Sequence, residues 1–160
     1  MVDYEDPNGG MIMVYFLSKN RCNLLKNTRA EDGFKGWNIV ENGGDEWKIE
    51  DNFAALPNDN NEKCFATSFG LCLKQQLINL KKKEGFSSAF MDHLQPDIKI
   101  SDWYAPSFDC RCYYEIWVEL LDQDKKPISV FHPEKVFFKK WNDQRWCQVS
   151  LIIMFKLFNH

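Results

Sequence analysis

Few side chains in this sequence have the type and spacing that chemistry requires. The three histidines are His93, His132 and His160. Metalloprotease chemistry needs two imidazoles four residues apart on one helical face, and no H-E-x-x-H run is present. There is no G-x-S-x-G nucleophile elbow and no Gly-rich phosphate loop ending in Lys-Ser or Lys-Thr. Of the six cysteines, Cys110 and Cys112 stand two apart and would share one face of a strand. A zinc site would need two further close ligands, whereas Cys22, Cys64, Cys72 and Cys147 are scattered singly. We therefore expect reduced structural thiols, no metal and no cofactor. Glu115 and Glu119 alternate on one strand face, where carboxylates ordinarily serve solvation. These features point to a non-catalytic chain.

Binding chemistry is better represented. Saccharides are held by aromatic rings against the C–H face of a pyranose and by carboxylates that accept hydroxyl hydrogen bonds. Loop positions that could supply these groups are Phe69, Trp103, Tyr104 and Phe108, with Asp102 and Asp109 beside them. The competing reading of each ring is packing in a core or at a sheet edge.

The elements that must position these residues read mostly as strands. Residues 1–10 form a polar lead-in. Met11 to Leu17 is a candidate first strand, with Leu24 and Leu25 as anchors after it. In "NIVENGGDEWKIED", Asn42 to Asp45 reads as a β-turn whose glycines permit positive φ. "WKIED" then alternates as a half-buried strand. "DNFAALPNDNNEK" is a polar loop, and "CLKQQLINLK", whose pattern fits strand or helix, is read as a strand because the segment after it is the better helix candidate. "EGFSSAFMDHLQP" carries the spacing of one short helix, with a serine cap and Pro96 beyond its end. "PDIKISDW" returns to a period of two. In "CYYEIWVELLD", Cys112, Tyr114, Ile116, Val118 and Leu120 face one way, and Tyr113, Glu115, Trp117 and Glu119 the other. "DQDKK" is a turn into "PISVFHP", and "RWCQVSLIIMF" is a further strand. The expected class is mainly β, an antiparallel β-sandwich with one short helix.

Composition excludes other classes. The net charge is −3 with a pI near 5.6, which leaves no basic footprint for nucleic acid. The lysines of "KKK" and "KVFFKKW" read as solvated faces. The longest apolar runs, Met11 to Leu17 and Val149 to Phe155, fall far short of the roughly 20 residues of a membrane span. The acidic N-terminus does not resemble a signal peptide, so a cytoplasmic location is expected.

Six stretches, in order, resemble the F-box associated (FBA) domain of the sugar-recognising F-box-only proteins. They are "YFLSKNRCNLLKN", "GWNIVENGGDEWKIED", "KCFATSFGLCLKQQLINL", "EGFSSAFMDHLQPDIKISDWYA", "CYYEIWVELLD" and "WNDQRWCQVS". The resemblance assigns 11–150 to the domain and leaves 151–160 as a divergent apolar tail. It implies a galactose-binding-like jelly roll and a role as the substrate-recognition part of an SCF-type cullin-RING ubiquitin ligase. The implied partners are glycoproteins bearing N-linked high-mannose glycans, recognised at the chitobiose core and sent to endoplasmic-reticulum-associated degradation. Two positions match the family's sugar pocket: Phe69, in the "SF" of "ATSF", and Asp109, just before the long central strand.

The chain departs from the family's pattern at both ends. No F-box precedes the match, so the ligase adaptor and cullin would be reached only through a module absent from this chain. After Ser150 the family's further strands and its Tyr-Trp-Lys sugar loop have no counterpart in "LIIMFKLFNH". The expectation is a C-terminally incomplete domain of reduced stability, with weak or absent glycan binding. The alternative function is a protein-interaction module of the same fold that has no sugar affinity.

Overall fold

A computed structural model of the chain describes residues 23–54, 56, 62–80 and 97–153. The candidate strand from Met11 to Leu17 and the short helix in "EGFSSAFMDHLQP" lie outside these residues. The described residues are mainly β and entirely antiparallel in their pairing, which is the class expected of a β-sandwich.

The chain divides into two compact units, Met1–Ser88 and Ala89–His160. The first contains β1 (Asn38–Asn42), β2 (Lys48–Asp51), β3 (Lys63–Ala66) and β4 (Cys72–Gln75). Strand β1 pairs with β4 and β2 with β3. The second contains β5 (Ile98–Tyr104), β6 (Cys112–Tyr114), β7 (Val118–Leu121), β8 (Pro127–Phe131), β9 (Val136–Phe138) and β10 (Cys147–Ile153). Here β5 pairs with β10, β6 with β9 and β7 with β8.

Both sets of pairings are nested. Among the described residues, each unit forms a long antiparallel hairpin whose two legs run side by side and break at matched places. In the second unit the closing turn is the expected "DQDKK". The Asp122 carboxylate accepts hydrogen bonds from the amides of Asp124 and Lys126, both at 2.8 Å. The Asp122 amide donates to the Lys126 carbonyl at 2.9 Å. Short polar side chains favour turns for this reason, since they satisfy backbone donors that no strand partner reaches.

"CYYEIWVELLD" is interrupted at Glu115–Trp117, between β6 and β7. The period of two nevertheless survives the break. Cys112, Tyr114, Ile116, Val118 and Leu120 are half-buried, and the residues between them are exposed. The side chains keep alternating while the backbone bends out of the ladder, so the pattern read from the sequence did not reveal the bend.

The interior of the first unit is aromatic and contains a cation. Lys74, half-buried on β4, places Nζ 3.6 Å from the Trp37 ring centroid, 4.4 Å from Phe65 and 5.5 Å from Trp47. Ring quadrupoles offset the loss of water around the ammonium. Phe34 and Trp37 both pack on Phe65, with centroids 5.6 Å and 5.5 Å away. Outside the strands, Asn27 organises the loop before β1. Its side-chain amide donates to the carbonyls of Gly33 at 2.8 Å and Lys35 at 3.1 Å, and its own carbonyl accepts from the Trp37 indole at 3.1 Å. The Gln76 side chain meets both the amide and the carbonyl of Lys26, at 3.0 Å and 2.6 Å, in the manner of a strand partner. Leu25, expected as an anchor, is exposed.

Candidate functional site

The paired breaks in the nested hairpins are the places where loops meet. There are three, and each joins residues far apart in the sequence.

In the first unit, residues 43–47 on the outgoing leg lie opposite 67–71 on the returning leg. The contact is backbone to backbone. The Gly43 amide donates to the Leu71 carbonyl at 2.9 Å, and the Asp45 amide to Ser68 Oγ at 2.6 Å. The turn is closed by the Glu46 amide, which donates to the Gly43 carbonyl at 3.1 Å. The Trp47 amide donates to Asn42 Oδ1 at 2.7 Å. Gly44 has φ +63, and a Cβ on it would stand 1.5 Å from the Phe69 carbonyl oxygen. A Cβ on Gly43 would stand 2.7 Å from the Leu71 carbonyl oxygen. Only glycine permits this approach. The "NGGDEW" turn is therefore the seat of the loop that carries Phe69. With its backbone held there, Phe69 points outward and is 74% exposed. A large ring presented this way is not a core residue.

In the second unit, residues 105–111 lie opposite 139–146. Asp109 sits here, exposed. Its Oδ1 accepts from the Cys110 thiol at 3.3 Å and from Ser107 Oγ at 3.4 Å. The Cys110 contact is the main cause that holds the Asp109 carboxyl below its ordinary value, and Lys140 adds a smaller Coulombic pull. The same contact raises the Cys110 thiol. The carboxylate is thus ionised and open to a donor. Phe108, next to it, meets Trp141 edge-on at 5.4 Å. Asn142 locks the two loops together, donating from Nδ2 to the Ser107 carbonyl at 2.6 Å and to the Lys139 carbonyl at 3.1 Å. Trp141 is not a candidate on the sequence alone, and the lysines of "KVFFKKW", Lys140 among them, read there only as a solvated face. The signal lies in the nesting, which sets "KKWNDQ" against "PSFDCR", and nesting is not readable from one strand at a time.

The third break sets Glu115–Trp117 opposite 132–135. Glu115 Oε1 lies 2.6 Å from His132 Nε2, and Lys135 Nζ lies 2.9 Å from Oε2. The Trp117 ring stacks on the His132 imidazole at 4.3 Å. Its indole donates to Glu119 Oε1 at 2.9 Å. The carboxyl of Glu115 is held below its ordinary value, first by the Lys135 hydrogen bond and then by His132. Glu115 is thus an ion-pair centre and does more than solvate the sheet.

Two further sequence candidates, Asp102 and Tyr104, make contacts within the second unit. Asp102 accepts from the Tyr114 hydroxyl at 2.8 Å, and Tyr104 stacks face to face on Tyr114 at 3.7 Å. Burial, with Asp102 as second cause, drives the Tyr114 hydroxyl far above its ordinary value. His93 and His160 lie outside the described residues. No group of three or more His, Cys, Asp or Glu capable of holding a metal occurs among the described residues. No helix among them is long and apolar enough to cross a membrane.

Nested antiparallel hairpins with aromatic and carboxylate groups raised on their bends define a mainly β domain. The family description "F-box associated region" matches residues 15–158. The chain is 40% identical over 152 residues to F-box only protein 6 of Bos taurus, covering 92% of this chain and 57% of that protein. It is 40% identical over 152 residues to F-box only protein 44 of Mus musculus, covering 92% and 59%. Against F-box only protein 2 of Bos taurus the identity is 36% over 156 residues, covering 91% and 51%. The chain spans about half the length of the curated relatives it matches. It belongs to the F-box associated family.

Proposed function

We propose that this chain is the non-catalytic substrate-recognition domain of an SCF-type cullin-RING ubiquitin ligase, and that it recognises N-glycosylated proteins from the cytosolic side. Adaptor and cullin would be engaged through an F-box. The cargo would be misfolded glycoproteins bearing high-mannose glycans, destined for degradation. Phe69 supplies a ring for the chitobiose core, and Asp109 supplies an ionised carboxylate for sugar hydroxyls.

Family membership supports the ligase half of this reading. The observation that carries the sugar half is the presentation of Phe69. A bend built from three closely packed glycines, Gly43, Gly44 and Gly70, holds an exposed ring away from any core. Capture of denatured glycoproteins on immobilised chain, before and after endoglycosidase treatment, tests it. Capture should be lost on deglycosylation and reduced at least tenfold by Phe69→Ala, a difference of about 1.4 kcal/mol. Capture that ignores deglycosylation would instead favour a protein-interaction module without sugar affinity.

A further inference from the structure

The bend that carries Asp109 opens into a depression of about 580 Å³ lined by Arg111, Lys139, Lys140 and Trp141. Three cations in one depression stand out in a chain whose net charge is −3. Lys140 reaches the field of Asp109 and lies 4.7 Å over the Trp141 ring. Arg111 and Lys139 are exposed and have no ion pair among the described residues. Trp141 is 65% exposed, yet it is fixed. Its amide donates to the Phe108 carbonyl at 2.8 Å, its backbone sits at φ +62, and Phe108 supports its ring edge-on. A tryptophan held in the left-handed region with its ring toward water is an unusual use of the residue, and such strain gathers at binding sites.

We propose that this depression binds an anionic sugar, a pyranose carrying a carboxylate or phosphate. Trp141 takes the C–H face of the ring, and Arg111 and Lys139 hold the anionic substituent. An acidic peptide would use the cations and leave the indole uncovered, whereas a neutral sugar would do the reverse. The proposal extends the carbohydrate reading given above, but it requires neither Phe69 nor the Asp109 carboxylate.

The full chain, labelled with ¹⁵N, is titrated with glucuronic acid, glucose 6-phosphate, glucose, inorganic phosphate and a tetraglutamate peptide. Both acidic sugars should shift the Trp141 indole and the amides of Lys139 to Asn142 saturably. They should bind at least tenfold more tightly than glucose or phosphate alone. A response to only one of them assigns the substituent as carboxylate or phosphate. R111Q/K139Q should weaken the acidic sugars at least tenfold while leaving the remaining amide spectrum and the response to chitobiose unchanged. Either single variant serves if the double variant loses its dispersed spectrum. Equal binding of glucose, equal binding of phosphate alone, tighter binding of the peptide, or full retention by the variants overturns the proposal. Chitobiose failing while acidic sugars bind would sink the Phe69 and Asp109 reading alone, and the converse would sink this one alone.

Discussion

At the residue scale, Gly44 governs where Phe69 stands. Its left-handed φ alone makes alanine cost about 1–2 kcal/mol, and a Cβ would also collide with the Phe69 carbonyl oxygen. Gly44→Ala should lower the urea midpoint, with a loss of unfolding free energy of at least about 1 kcal/mol, and shift the amides of Ser68 to Leu71. An unchanged midpoint with an unshifted loop would show that the two bends do not touch. Glu115 makes a separate prediction, because its folded carboxyl lies below its ordinary value through Lys135 and His132. A depressed carboxyl contributes stability that is fully present above the unfolded value, about 4.3. That contribution is lost as pH falls through the lower folded value. Stability should therefore fall on acidification below about pH 5, and Glu115→Gln should flatten that limb in thermal melts. Lys135 is raised by the same carboxylate, which agrees in sign.

At the element scale, the strands were legible where alternation and turn chemistry agreed. Trp47 to Asp51 and Ile98 to Trp103 announce themselves by a period of two, whereas Cys72 to Gln75 fits strand or helix by pattern and reads as a strand only because the segment after it is the better helix candidate. "DQDKK" announces the hairpin by its short polar side chains. Two strands were not legible. β3 is four residues long with no turn signal of its own, and β9 is three residues between lysines. Such short pieces owe their existence to their partners, β2 and β6. The bend at Glu115 was hidden for a related reason, since alternation continues through it. Phe69 and Asp109 were legible as candidates through the family resemblance. What seats Phe69 was read only as a turn, because backbone contact between residues 43–44 and 69–71 leaves no mark in either stretch alone. Inward-facing Lys74 is another position that pattern reading does not foresee. Lys74→Ala removes the cation from among Trp37, Phe65 and Trp47, and chemical denaturation should register a loss of about 1–2 kcal/mol. A change within about 0.5 kcal/mol would show that the aromatic cluster does not depend on the ammonium.

At the scale of the whole molecule, every sheet among the described residues has two strands. Ala30 is the one fully buried residue of the hydrophobic types among them. Two-stranded ladders are marginal in water without a packed face, and the energy here comes from half-buried aromatics and from loop-to-loop hydrogen bonds at the bends. This arrangement suits recognition, since each bend fixes a loop rigidly while leaving its side chains exposed. On the proposed sugar reading, an exposed ring such as Phe69 would act in open solvent, so the affinity for a short glycan should be low. The most direct test of the central claim is a ¹⁵N titration of the chain with chitobiose. Saturable shifts are expected at Ser68 to Leu71, with a dissociation constant of about 1 mM, and loss of that response in Phe69→Ala. An absence of shifts at that loop, or a response that survives Phe69→Ala, would contradict the sugar reading.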